Sequence, residues 1–282
     1  MAAALTRIAA TALAGGLLSG TMVRFSPGFG LDEKQLDATL SSRTQAAIRH
    51  SHDHERDWLR FYAAYLKRMC RGDLGISTAL GRPIRELLVE RAPVTFHLML
   101  WGIAGAWTLA ALLAIPASAM RSPGLGGICT VLSGVPASLP AAGIAILLFR
   151  IGASPVWTIA LVIFPKVYQY LQNLLRHGYA MPHVVLARAK GLRAHRIFFR
   201  HVAAPARGPL LALAAVSLNI AFGAAIAVEA ISDLPGLGQL AWKAAGARDL
   251  PVLVILTLLV TLGTQMSNLM ADWLSPSAGR QA

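Results

Sequence analysis

Apolar residues in this chain fall into long runs separated by short or strongly basic polar segments. Six of the runs approach the roughly 20 residues that a membrane-crossing helix needs. They cover about 5–23, 94–118, 126–149, 155–175, 208–228 and 251–271. The first is the weakest, because only 16 residues separate Arg7 from Arg24, and Arg7 must snorkel to the interface. Its short apolar stretch behind a basic start also fits a cleavable signal peptide. No clear A-x-A site follows, so it is read as a retained span. The second run lies within 29 uncharged residues between Arg91 and Arg121, and the third has no charge until Arg150. Lipid offers the backbone no hydrogen-bond partner, so the runs are expected to be helices, and no barrel-like alternation competes with that reading. The expected fold is an all-α, polytopic membrane bundle of about six transmembrane helices.

The polar segments refine this picture. Residues 24–91 hold 12 Arg and Lys against nine Asp and Glu, and are read as a long outer segment. Within it Leu59, Tyr62, Leu66 and Met69 recur at helical spacing, which predicts an amphipathic helix at the membrane surface or against the bundle. Pro136 and Pro140 interrupt the third run, as a packing kink or as a bend in a pathway-lining helix. The fourth run is the least apolar. It carries Lys166, Gln169, Gln172 and Asn173, and an ionisable group inside a membrane is a functional candidate by default. Lys166 also lies about 15 Å of helix from Arg176, so an interfacial anchor is the competing role. Gly102, Gly105 and Ala106 in the second run permit close helix–helix approach.

Composition agrees. Of 282 residues 55% are hydrophobic and 14% charged, with a mean hydropathy of +0.56. Soluble domains average about 25% charged. The net charge of +13 raises nucleic acid as a partner, but the basic residues sit at the ends of apolar runs, without aromatic interleaving or a nucleic-acid module. Cys70 and Cys129 fall at different expected levels and are read as unpaired. The histidines at 50, 52 and 54 read as a solvated polar segment rather than a metal site. From Arg176 to Arg207 there are six Arg, one Lys, four His and no acid. Positive-inside bias places that loop in the cytoplasm, together with the turn at 121–124 and both termini. Residues 24–91 and 229–250 then face outward.

Within the basic loop, Ala187-Arg188-Ala189-Lys190-Gly191-Leu192, followed by Arg196-Ile197-Phe198-Phe199-Arg200-His201, resembles the EAA loop of bacterial ABC importer permeases. Other stretches occur in that family's order. Arg71-Gly72-Asp73-Leu74-Gly75-Ile76-Ser77, Gly81-Arg82-Pro83-Ile84 and Glu90-Arg91-Ala92-Pro93-Val94-Thr95 precede the second run. Val228-Glu229-Ala230-Ile231-Ser232-Asp233-Leu234-Pro235-Gly236-Leu237-Gly238-Gln239-Leu240 and Ala247-Arg248-Asp249-Leu250-Pro251 follow the fifth. Together they resemble the B-type permease subunit of dipeptide, oligopeptide and nickel importers, over about residues 60–272. The departures are a Pro27-Gly28-Phe29-Gly30 turn where the class has a Pro-Gly-Asp-Pro-like one, the missing Glu of the EAA name, a trimmed arm before the loop and a short first outer segment.

The resemblance implies a bacterial inner-membrane, multi-pass permease that carries dipeptides or oligopeptides. It divides the chain into a first transmembrane helix at 1–23, a periplasmic segment at 24–93 and a permease domain at 94–282, with its coupling loop at 176–207. The implied partners are a second permease subunit, ABC ATPase subunits, a periplasmic or lipid-anchored solute-binding protein and the lipid membrane, with no nucleic acid. Ala187, Arg188, Ala189, Lys190, Gly191, Leu192, Phe198 and Phe199 are the implied ATPase-coupling residues, on a short cytoplasmic helix. Glycine at 191 lets the loop turn or a partner backbone approach closely, and a plain helix C-cap is the simpler reading. Pro235, Gly236 and Gly238 read as a re-entrant turn or an external loop. Asp73 reads as a cap or turn residue. Lys166, Gln169 and Glu229 are the candidates for solute contact. No P-loop and no nucleophile–base pair is present, so the chain is expected to be no enzyme and to need no cofactor, with hydrolysis on its partners. A nickel or other small-solute permease, with His97, Met99 and Met266 scattered in the spans, and a non-transporting membrane scaffold are the alternatives.

Overall fold

The computed structural model describes residues 67–69, 71–119 and 123–274, together with Thr6, Ala10, Thr11, residues 14–18 and Thr21. The expected amphipathic helix around Leu59, Tyr62 and Leu66 and the histidines at 50, 52 and 54 lie outside the described residues. Met69 is described and helical.

Among the described residues from Ile84 onward the elements are α1 Ile84–Ala119, α2 Pro123–Ala137, α3 Ala141–Arg150, α4 Pro155–Ala180, α5 Pro182–Ala189, α6 Ala194–Ile197 continued by a π turn Phe198–Ala203, α7 Arg207–Ile231, α8 Leu237–Gly246 and α9 Leu250–Leu274. Proline opens α2, α4 and α5, where its missing N–H is no loss and its fixed φ already suits a helix. Gly152, at φ +70°, ends α3: its N–H donates to Phe149 O and that of Ala153 to Leu148 O. This pattern satisfies two of the terminal carbonyls.

Among the described residues three helices are long and apolar enough to cross a membrane: Ile84–Ser118, Arg207–Ile231 and Leu250–Met270. These carry the second, fifth and sixth expected spans. The third differs from expectation. Residues 127–137 and 141–150 meet at a bend of 93°, with Ser138, Leu139 and Pro140 outside any helix. The single span expected at 126–149 is therefore a broken pair. Pro140 has no N–H to donate and biases Leu139 away from helical geometry. The legs of 15 and 10 residues measure about 22 and 15 Å, each short of the roughly 30 Å hydrocarbon core. The fourth expected span falls in α4, whose 26 residues reach about 39 Å but whose C-terminal half is polar, so it is not among the three.

The described residues divide into two compact units, those within 92–239 and 263–282 and those within 1–91 and 240–262. In the larger unit α4 is the central helix, touched by α2, α3 and α7. Its buried side, Ile159, Ile163, Val167, Leu171 and Leu175, joins Ala106, Ala110, Val184, Leu213 and Val228 in one apolar core. Gly102 lets α1 approach α4 closely: a Cβ there would collide with Ile159 Cγ2, and one at Gly105 would touch Ala160. These are the small residues that the sequence marked for close packing. In the smaller unit, Gly15 of the first apolar run meets Thr257 and Thr261 of α9.

Candidate functional site

Past its apolar part α4 runs on to Ala180, and Met181 breaks it with extended backbone at ψ 139°. Pro182 then starts α5, which ends in a complete Schellman cap. The Gly191 N–H donates to Arg188 O at 2.9 Å and the Leu192 N–H to Ala187 O at 3.3 Å, with Gly191 at φ +72°. No atom lies within 4 Å of where a Gly191 Cβ would be. The site therefore asks for glycine because of its backbone angle and not for lack of room. Val184 and Ala187 are buried in the core of the larger unit, whereas Val185, Leu186, Arg188, Ala189 and Lys190 are exposed.

After the cap, α6 and its π turn fold back on the end of α4. Val202 is buried against Gly178, where a Cβ would come within 2.9 Å of Val202 Cγ1. His183 Nε2 lies 3.1 Å from His201 O, which ties the start of α5 to the π turn. The Arg188 guanidinium sits 5.2 Å above the Tyr179 ring. Burial pushes the Tyr179 hydroxyl above its ordinary pKa, and the Arg188 charge partly offsets this, so at neutral pH the ring is an uncharged cation–π partner. The eight implied coupling residues thus divide. Ala187, Leu192 and Phe198 face or pack against the core, Gly191 shapes the cap, and Arg188, Ala189, Lys190 and Phe199 stand outward, Phe199 at 68% exposure. Val185 and Leu186, more than half exposed, are apolar members of the outward face that sequence reasoning missed. Their signal was an apolar triplet, Val184-Val185-Leu186, too long for the single buried stripe of a two-turn helix.

A second constellation surrounds Glu229, which is fully buried near the end of α7. Its Oε1 accepts the Thr95 hydroxyl at 2.7 Å, and its Oε2 accepts the N–H of Gly238 at 2.7 Å and of Gln239 at 3.1 Å. Thr95 Oγ1 in turn accepts the Leu237 N–H at 2.8 Å. Three N-terminal amides of α8, which no intrahelical carbonyl can reach, are thereby satisfied, and the carboxylate sits at the positive end of the helix dipole. Pro235-Gly236-Leu237-Gly238 makes this possible by sterics. A Cβ at Gly236 would overlap the Glu229 carboxylate, and one at Gly238 would fall 2.7 Å from Ile226 Cα. Glu229 was a candidate for solute contact, and in the fold its carboxylate is a helix cap. The re-entrant turn expected at Pro235–Gly238 is the entry into α8.

Asp249 plays the matching part in the smaller unit. It is buried just before α9; its Oδ2 accepts the Ser77 hydroxyl and the Ala79 N–H, and its Oδ1 accepts the Val252 N–H at 3.4 Å. Asp73 accepts the Gly75 N–H at 3.0 Å, the turn role expected of it. The Gly-Asp-Leu-Gly-Ile-Ser and Ala-Arg-Asp-Leu-Pro stretches are thus two halves of one clamp.

Lys166 and Gln169 are exposed on α4, whereas Gln172 is buried with its Nε2 unpartnered. Among the described residues no group of three or more His, Cys, Asp or Glu is placed to hold a metal ion.

Comparison with known proteins fits this construction. The glutathione transport system permease protein GsiC of Pectobacterium atrosepticum is 26% identical over 230 residues, covering 74% of each chain. The dipeptide transport system permease protein DppB of Lactococcus lactis is 26% identical over 248 residues, covering 81% of this chain and 82% of its own. The oligopeptide transport system permease protein AppB of Bacillus subtilis is 24% identical over 244 residues, covering 75% and 76%. Permeases of this kind are multi-pass membrane proteins that work with ATPase and binding-protein partners. Residues 106–280 match the binding-protein-dependent transport system inner membrane component, and the chain belongs to that family.

Proposed function

We propose that this chain is one permease subunit of a peptide importer, and that α5 is the element through which ATP hydrolysis on a partner subunit moves it. One observation carries the reading. A short helix in an acid-free basic stretch is held on one side by the core (Val184, Ala187) and displays Val185 and Leu186, with Arg188 and Lys190 beside them, on the other. An apolar pair ringed by cations fits a cleft with an acidic rim on an ATPase subunit. The Schellman cap, the Val202–Gly178 contact and the His183–His201 bond make the helix stiff against α4. A push on α5 therefore reaches the bundle rather than dissipating in a loop.

In this reading the loop is cytoplasmic, both termini are cytoplasmic, and the segment from Glu229 to Asp249 faces the binding protein. A second, related permease completes the pathway, and the chain itself hydrolyses nothing. Peptides as solute rest on the relatives named above, which are permeases for glutathione, dipeptides and oligopeptides. The test is co-purification of the tagged chain from native membranes with Leu186→Glu, beside the wild type. The expected result is loss of the ATPase subunit with retention of the second permease. An undiminished ATPase yield from the variant would remove α5 from the interface.

A further inference from the structure

The exposed side of α4 is polar along its C-terminal half. Lys166, Gln169, Tyr170, Asn173, Arg176 and His177 recur at three- and four-residue spacing and are all exposed, while Ile163, Val167, Leu171 and Leu175 are buried on the opposite side. Lys166 lies at the middle of the expected span 155–175. It is 11 residues from Pro155, about 17 Å of helix, and ten from Arg176, about 15 Å. Its four-carbon stem spans neither distance. Side chains on a helix lean toward its N-terminus, so Lys166 also leans away from the basic cytoplasmic rim. A cation and a row of amides at this depth do not face hydrocarbon.

Among the described residues Lys166 has no counter-ion. No Asp or Glu occurs between Glu90 and Glu229, and the Glu229 carboxylate is committed to α8 and Thr95. Among the described residues Lys166 makes no hydrogen bond or ion pair. A fixed acid on a neighbouring subunit would need the ammonium alone. The structure offers in addition a ladder of amide donors and acceptors, Gln169 and Asn173, each about one turn below the last, leading to Arg176. That pattern suits an elongated, mobile ligand with one carboxylate and several amides.

We infer that the Lys166–Gln169–Asn173 side of α4 lines the solute path, and that the Lys166 ammonium binds the carboxylate of a peptide in transit. The inference rests on the permease reading and names the substrate group and the residue that takes it. Uptake of trialanine and of its C-terminal amide into proteoliposomes holding the complete importer tests it. The Lys166→Gln substitution lowers the rate for the free acid relative to the amide about tenfold compared with wild type, the scale of one charge-assisted hydrogen bond. Lys166→Arg restores most of the difference. A second readout does not depend on the solute. In a background lacking Cys70 and Cys129, the single substitutions Lys166→Cys, Gln169→Cys and Asn173→Cys each give a chain that reacts with a membrane-impermeant sulfonate thiol reagent. Leu147→Cys, at an exposed apolar position on α3, gives one that does not. An unchanged acid-to-amide ratio in a complex that still transports both peptides overturns the inference and leaves the permease reading standing. So does a Lys166→Cys chain that stays unreactive, the behaviour of a lysine sealed against an acid of the second permease. A wild-type complex that moves neither peptide removes the peptide reading, and the inference falls with it.

Discussion

Replacing Thr95 by Val isolates the Glu229 constellation, because valine matches threonine in shape and lacks only the hydroxyl. Two bonds go at once: the one Thr95 donates to Glu229 Oε1 at 2.7 Å, and the one it accepts from the Leu237 N–H at 2.8 Å. A hydrogen bond to a charged group contributes about 1.5–3 kcal/mol and a neutral one about 1. The first turn of α8 should therefore lose about 2.5–4 kcal/mol against local opening, and the lower figure alone corresponds to amide exchange about 70-fold faster. Hydrogen exchange read by mass spectrometry on peptides covering 236–240 measures this, with 159–171 of α4 as the internal control. Glu229→Gln should act in the same place and more mildly. Its amide oxygen can still take the Gly238 and Gln239 N–H groups while its NH₂ donates to Thr95 Oγ1, so the Thr95 bond is reversed and the strength the charge lends is lost. Glu229→Ala orphans three donors and should exceed both. The two milder substitutions combined should cost less than their sum, because both act on the one bond between Thr95 and residue 229. Exchange in 236–240 within threefold of wild type in Thr95→Val would refute the view that these bonds hold α8.

The other expectations follow from single positions. Gly191→Ala places a Cβ at φ +72° in open space, so the penalty is conformational only, about 1–2 kcal/mol of α5 capping; Gly191→Asn should cost less, and hydrogen exchange across 186–193 ranks the two. Gly238→Ala drives a Cβ into backbone atoms of Ala225 and Ile226, which cannot yield as a flexible side chain can, and should abolish accumulation of the intact importer in membranes. Asp249→Ala removes acceptors from Ser77, Ala79 and Val252 and should raise limited-proteolysis rates in residues 71–83 at least tenfold, with the chain otherwise intact.

Three of the six expected spans could be read directly from the length and apolarity of their runs. The break in the third could be read only as an interruption, since proline spacing marks where a helix is weakened and not whether its halves stay collinear. The basic loop was legible as a short helix because Ala187–Lys190 are helix formers and Gly191 follows them. Its outward face was not, because which of Val184, Val185 and Leu186 turns inward depends on where α4 and the π turn lie. Glu229 and Thr95 were each marked in the sequence, yet 134 residues separate them, and no local pattern pairs residues so far apart. Glycine at 236 and 238 was noted as a turn signal. Only the fold shows that the missing side chains make room for a carboxylate and a helix backbone.

The division of labour among these residues bears on specificity. Glu229, Thr95, Gly236, Gly238, Asp249 and Ser77 belong to the stretches by which the chain resembles its family, and in the fold each is used in joining one part of the chain to another. A buried carboxylate capping a helix is indifferent to what passes nearby, so these positions suit any solute the scaffold carries. Lys166, Gln169 and Asn173 belong to none of those stretches, and the core does not need them, since their side of α4 is exposed. A scaffold that holds its helices together with one set of residues is free to change solute through another. Exchanging the exposed side of α4 between two permeases of this family should therefore transfer the preference for solute charge while leaving assembly with the ATPase intact. Uptake measured with acidic and neutral peptides, beside ATPase co-purification, separates the two effects. A chimera that assembles and keeps its original preference would place selectivity elsewhere in the pathway.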